Sequence, residues 1–196
     1  SIISLTISSI LTLSSLNIYR SFLDNNSSFH KIIFISIAIL LFVPSLSLSA
    51  MIFYFNFQLN FIFKSIWIVS IINSFFITPI MFIFLSSKFI ENHNSEYRNT
   101  LLFNIKSLTR LIKIDLPKIR NEFLLVSTTV FVLSLGDLTS VTIFNNSSFK
   151  TIPLYISQLY SNYRYNDAFF ILSLFIIFIF LIMNLPTFLL QKNAKN

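Results

Sequence analysis

The sequence predicts an all-α fold, a polytopic bundle of helices crossing a bilayer about five times. Three observations lead there. Of 196 residues, 55% are apolar and only 11% are charged, against about 25% charged in an average soluble domain. The chain therefore lacks the polar side chains needed to cover a soluble globule. Its apolar residues fall in runs of roughly 20, the helix length that crosses a hydrocarbon core about 30 Å thick. Those runs do not alternate. A stretch such as Phe169-Phe170-Ile171-Leu172 has no barrel-strand period, which leaves the helix as the element that satisfies its own backbone in lipid.

The first expected span runs from Ser1 to about Ser21 and is the least apolar, being rich in Ser and Thr. No charged segment precedes it, so it does not read as a signal peptide. The chain opens on Ser rather than Met, and we expect a piece of something longer. The second span covers about Lys31 to Phe55 and is interrupted by Pro44; the third covers about Phe61 to Phe89 and contains Pro79. Each proline removes a backbone hydrogen bond and is expected to kink its helix. The fourth runs from about Glu122 to Phe144 and the fifth from about Ala168 to Leu190.

Lys and Arg set the expected orientation. A cytoplasmic segment between the third and fourth spans places Arg20, Lys31, Lys88, Arg98, Lys106, Arg110, Lys113, Lys118, Arg120, Lys192 and Lys195 on that side. Only Lys64, Lys150 and Arg164 fall on the other. The N-terminus is then outside and the C-terminus cytoplasmic. The net charge of +7 follows from this bias and calls for no nucleic-acid partner.

Residues 90–118 form the longest expected inner loop. Leu101, Ile105, Leu108 and Ile112 follow helical spacing along one face, with Lys106, Arg110 and Lys113 on the opposite one. The pattern predicts a short amphipathic helix ending before Asp115-Leu116-Pro117, since a proline disfavours helix in the residue before it. Such a helix either lies among lipid headgroups or docks a cytoplasmic partner.

This loop resembles the cytoplasmic loop of ABC importer permeases, whose pattern is E-A-A, three residues, G, nine residues, I, one residue, L-P. Ile114, Leu116 and Pro117 match its end. Arg98-Asn99-Thr100 stand where E-A-A belongs, and Asn104 stands at the Gly. The resemblance implies a coupling loop at 90–118 that docks an ABC ATPase subunit through Leu101, Asn104, Leu108, Ile114, Leu116 and Pro117. A second stretch is similar to thiamine importer permeases. The run Leu133-Ser134-Leu135-Gly136-Asp137-Leu138 continues through Phe144. Phe149, Thr151, Ile152, Pro153, Tyr155, Gln158, Tyr163-Arg164 and Asp167-Ala168 follow. Asn162 replaces the family's Ser, and Ile152 its Leu. Ferric-iron permeases share parts of this pattern.

The resemblance implies a type I ABC importer permease in the inner membrane. Residues 1–196 would form most of the second of two homologous halves, without its first helix. It implies as partners the ATPase, a periplasmic substrate-binding protein facing Tyr163-Arg164, the other permease half and membrane lipid. The implied cargo is thiamine or its phosphates; ferric iron or another small solute is the alternative. An intramembrane enzyme needs several polar groups at one depth. Of the acidic residues only Asp137 is deep, so no catalytic residue is expected, and a non-transporting scaffold is the remaining alternative.

Asp137 reads in two ways. A carboxylate within a span costs about 2.5–3.5 kcal/mol on insertion scales and usually faces a cavity or a partner, where it would attract thiamine's cationic ring. Alternatively, Gly136-Asp137 shapes the helix and bonds nearby backbone. Ser45 beside Pro44, and Asn73, complete the expected substrate path, or serve helix packing alone. Tyr155, Tyr160, Tyr163 and Tyr165 read as an interfacial aromatic belt. The chain has no Cys and one Gly, so thiolate metal sites and the G-x-x-x-x-G-K-[ST] phosphate loop are both excluded. His30 and His93 stand apart in loops. We expect no metal and no cofactor, with ATP hydrolysed on a separate subunit.

Overall fold

A computed structural model of the chain describes residues 1–24, 29–58, 65–102, 107–144 and 150–194. Among them every regular element is helical. Helix α1 (Ile2–Asp24) packs along α4 (Ser65–Leu102). Ser4, Ser8 and Thr12 recur every four residues, so they share one face, and all three are buried; Ser70, Ser74 and Ser86 of α4 are buried too. Lipid tails are as apolar as Leu, so small side chains that let backbones approach closely hold membrane helices together. Their hydroxyls do not go unpaired. Ser8 Oγ donates to Leu5 O at 3.0 Å, Thr12 Oγ1 to Ser8 O at 2.9 Å, and Ser74 Oγ to Ile71 O at 2.6 Å. Three of the Ser and Thr that make this span the least apolar, Ser4, Ser8 and Thr12, form its packing surface. Further along, Leu16 and Tyr19 join Met81, Phe82, Leu85 and Phe89 in the main core.

The two helices run in the same direction. Ser4 and Asn73 both reach Ser134, Thr12 lies at Met81, and Arg20 lies over the Phe89 ring. The chain between them must return from the Arg20 end to the Ser4 end. It does so through α2 (Phe29–Ile39), a 3₁₀ turn (Leu40–Phe42) and α3 (Ser45–Gln58). The two arms, Phe29–Phe42 and Ser45–Phe55, meet at 88°. Val43 is extended (φ −75°, ψ 119°), as the residue before a proline prefers. The Pro44 carbonyl starts α3 by accepting from the backbone N–H of Ser47 (3.1 Å) and Leu48 (3.2 Å). This pair is therefore one broken span. With the helices Ile2–Leu23, Ile66–Asn92, Arg120–Ile143 and Tyr165–Phe188, it makes five candidate spans among the described residues. Pro79 sits inside α4 without ending it.

Helix α4 continues past Phe89 to Leu102, taking the first part of the expected loop into the span helix. Then follow α5 (Ser107–Arg110), a π turn (Leu111–Asp115), α6 (Leu116–Lys118), α7 (Arg120–Leu135) and α8 (Thr139–Ile143). The expected stop before Leu116-Pro117 is not observed. Leu116 is helical (φ −62°, ψ −43°), and its N–H donates to Leu111 O across the π turn. The expected fourth span is broken where α7 ends at Leu135. Helix α9 (Ile152–Ser161) and α10 (Tyr165–Ala194) complete the chain. A second core of Ile68, Val69, Ile72, Val141, Phe144 and Leu154 binds the start of α4 to α8 and α9. Helix α10 lies against α7 and α9 and leaves Phe169, Phe170, Phe180 and Phe188 exposed.

Candidate functional site

The two broken spans meet. Thr139, first residue of α8 after the Gly136–Leu138 break, has its Oγ1 2.9 Å from Ser45 Oγ, a hydrogen bond between the two hydroxyls. Ser45 is the first residue of α3 after the Pro44 break. Beside this junction is an open cavity of about 230 Å³ lined by Ser45, Asn73, Phe76, Ile77, Ile80, Leu133, Gly136 and Asp137. All four residues expected on the substrate path line it, although they lie on two helices and in the break between α7 and α8. Non-helical backbone at membrane depth is tolerated where it is buried in protein or lines a water-filled cavity. Here the break at Gly136-Asp137 lines an open cavity.

Asp137 makes the local structure as well. Its Oδ1 accepts from the Thr139 backbone N–H (3.0 Å) and from Thr139 Oγ1 (2.8 Å), and Oδ2 accepts from Ser140 Oγ. This Asx-type turn restarts the helix as α8. Gly136 is not required by its backbone. It has φ −79° and ψ −7°, and a Cβ there would meet only Leu133 O at 3.6 Å and Val132 O at 3.8 Å. What its missing side chain leaves is room on the cavity wall. Asn73 donates from Nδ2 to Ser134 Oγ and Ser134 O, both at 3.5 Å, and Ser134 Oγ lies 2.7 Å from Ser4 Oγ. Ser134 was not singled out from the sequence; it is the buried hydroxyl that joins α1, α4 and α7.

At the basic end of the bundle the coupling residues divide. Asn104 lies outside the described residues, and of Leu101 only the backbone near the end of α4 is described. Leu108 and Ile112 are 64% and 62% exposed. Pro117 is exposed, while Ile114 and Leu116 are half-buried. Arg110 lies opposite Leu108 and Ile112, as the spacing predicts, but the face that carries Arg110 is the buried one, with its Nε 4.0 Å from Asp115 Oδ1. The i→i+5 closure of the π turn that follows brings residues 110 and 115 to one side.

Asp115 receives a second guanidinium. Arg20 Nη1, from the end of α1, bonds Asp115 Oδ2, while Arg20 Nη2 donates to Asn17 Oδ1 at 2.6 Å. The Arg20 guanidinium also stands 5.8 Å from the Phe89 ring centroid, a cation–π contact. Burial pushes the Asp115 carboxyl above its ordinary range, against the downward pull of Arg20, Arg110 and Lys118. Sequence reading had counted Arg20 only as a charge near a membrane end.

At the opposite end, Tyr163 follows α9 with φ 60°. The Arg164 N–H reaches Leu159 O at 3.0 Å, so a Tyr occupies the left-handed C-cap position where Gly is usual. Its ring is 80% exposed. Arg164 Nε donates to Asp167 Oδ2 at 2.8 Å, and Tyr160 and Tyr165 pack edge to face at 4.9 Å. Phe149 lies outside the described residues. His30 packs edge-on against Tyr19 at 6.0 Å. Among the described residues no group of three His, Cys, Asp or Glu converges on one point.

A family model of binding-protein-dependent transport system inner membrane components matches residues 6–195. The chain belongs to this family. It is an inner-membrane, multi-pass permease subunit of an ABC importer, from a transporter family rather than an enzyme class. Family membership implies that the permease works with an ATPase and a substrate-binding protein. No curated protein matches the permease.

Proposed function

We propose that this permease passes thiamine or its phosphates inward across the cytoplasmic membrane, through the cavity at Ser45, Asn73, Gly136 and Asp137. The observation that carries the reading is the meeting of two broken spans beside one carboxylate within the membrane. A Pro-broken and a Gly-Asp-broken helix supply polar backbone where a solute must leave water, and Asp137 supplies a negative charge for a cationic ring. The cavity is smaller than the roughly 300–1,000 Å³ of typical small-molecule sites, as one wall of a shared passage would be. Residues 1–196 act in this reading as the second half of a two-half permease, whose other half supplies the facing wall. The similarity of Leu133–Phe144 and of Thr151–Ala168 to thiamine permeases supports the cargo.

In this reading the Arg20 end and the C-terminus are cytoplasmic, which the distribution of basic residues supports. The ATPase docks there on residues 107–118 of the 90–118 loop, where Leu108, Ile112 and Pro117 form an exposed apolar surface. The substrate-binding protein docks at Tyr163-Arg164. Uptake of labelled thiamine tests the whole reading, in cells that lack their own importer and carry the full gene with its ATPase and binding protein. ATP-dependent uptake that is lost on replacing Leu116-Pro117 is the expected result. No thiamine uptake from a membrane-inserted complex refutes the cargo, and labelled ferric iron is then the next solute to assay.

A further inference from the structure

We propose that the Arg20–Asp115–Arg110 cluster is a strut that joins the coupling segment to α1, so that movement imposed at 107–118 is delivered to the α1–α4 pair as a rigid unit. This rests on the reading of 107–118 as the ATPase dock.

The exposed and buried faces of that segment have separate tasks. Leu108, Ile112 and Lys113 point outward, whereas Leu111, Asp115 and Ile119 point into the bundle. A docked partner touches the first set, and only the second can pass its motion inward. Apolar contact from Leu111 and Ile119 resists separation but little resists sliding in a lipid-bathed bundle, where packing is non-directional. The charged contacts are directional. Arg20 and Asp115 are 1% and 2% exposed, and Asp115 takes one guanidinium from α1 and one from its own segment. Arg20 is itself fixed by Asn17 and by the Phe89 face of α4. A sliding step would pull the buried Asp115 carboxylate away from the Arg20 guanidinium, which costs far more than keeping the pair together. The π turn that carries Asp115 points the same way, since such turns recur at functional sites. Arg20, Asp115 and Arg110 are positioning residues, none of them in contact with cargo or nucleotide.

The test uses the assembled full-length importer in proteoliposomes, with cargo uptake and ATP hydrolysis measured together. Asp115→Asn keeps the shape and removes the charge. We expect it to retain ATPase association and ATP hydrolysis while uptake per ATP falls at least about 10-fold. Arg20→Gln should do the same, and the double variant should be no worse than either single one, as for residues acting through one contact. An unchanged uptake-to-hydrolysis ratio in both single variants overturns the strut.

A second measurement needs no change at the cluster. Spin labels at exposed Ser21 and Lys113 should keep one separation with and without ATP, because both belong to the rigid unit. A change of about one helical turn, ~5.4 Å, overturns the proposal even if the substituted proteins fail to fold. Leu108→Glu separates the two readings. If it leaves ATPase association intact, the docking assignment fails. If it abolishes association while Asp115→Asn leaves the ratio unchanged, docking stands and the strut falls.

Discussion

Replacing Asp137 by Asn separates the structural work of this residue from any work on cargo. The side-chain carbonyl of Asn keeps the two bonds now made by Oδ1, to the Thr139 N–H and Thr139 Oγ1. The amide nitrogen takes the place of Oδ2, and Ser140 Oγ turns from donor to acceptor, so the turn into α8 loses about 1 kcal/mol or less. The charge is lost completely. A cation about 6 Å from the carboxylate, at an effective dielectric constant of about 20, gains roughly 3 kcal/mol from it. That corresponds to roughly a 100-fold change in occupancy. The assay is thiamine uptake in proteoliposomes at saturating binding protein, beside thermal unfolding of the detergent-solubilised complex. We expect a midpoint within a few degrees of the parent and uptake reduced about 10- to 100-fold. Asp137→Ala, which removes every acceptor, should lower the midpoint as well. Parental uptake by Asp137→Asn refutes the electrostatic argument and leaves Asp137 as the residue that restarts the helix.

Gly136→Ala should fold and transport normally because φ and space both admit a Cβ, whereas Gly136→Leu should fold but transport poorly by filling the cavity; membrane level and uptake distinguish these outcomes. Ser8→Leu forces a large side chain into the closed α1–α4 face and should destabilise by about 1–3 kcal/mol, read as a lower unfolding midpoint and less protein in the membrane. Tyr163→Gly relieves a left-handed residue and should stabilise by about 1 kcal/mol; co-purification of the binding protein should nevertheless fall, and unchanged co-purification sinks the assignment of Tyr163 to that contact.

Some of this was legible in the sequence because it depends on composition and local chemistry. Spans follow from runs of apolar residues, and Pro44 marks its own break, whereas the fourth span reads as continuous through Gly136-Asp137, where the structure breaks it. Asp137 stands out as the one acidic group deep in a span. What was not legible depends on phase and partner. Helical spacing puts Arg110 opposite Leu108 and Ile112 but does not say which face is buried. Asp115, brought to the side of Arg110 by the i→i+5 closure at Leu111–Asp115, gives that face its partner inside the bundle. Nothing in the sequence announces the pairing of Arg20 and Asp115, which stand 95 positions apart. Ser134 looks like any other Ser in a membrane helix until α1 and α4 arrive beside it.

Pro44 and Pro79 show the same limit from one residue type. Both remove a backbone donor from an apolar segment, and sequence treats them alike. Around Pro79, Ile77, Met81 and Phe82 are all buried against α1, α2 and α7, so bending there would open the main core. Around Pro44, α2 and its 3₁₀ turn bury no residue completely, and Phe42 is 84% exposed. Little packing opposes a bend at that point. The proline's own preference for an extended predecessor then decides the geometry, and Thr139 is in reach to bond Ser45 across the break. The cavity therefore forms at the proline that the core leaves free. Strengthening the packing around Leu40–Phe42 should straighten this span and close the cavity, with no change to any residue that lines it.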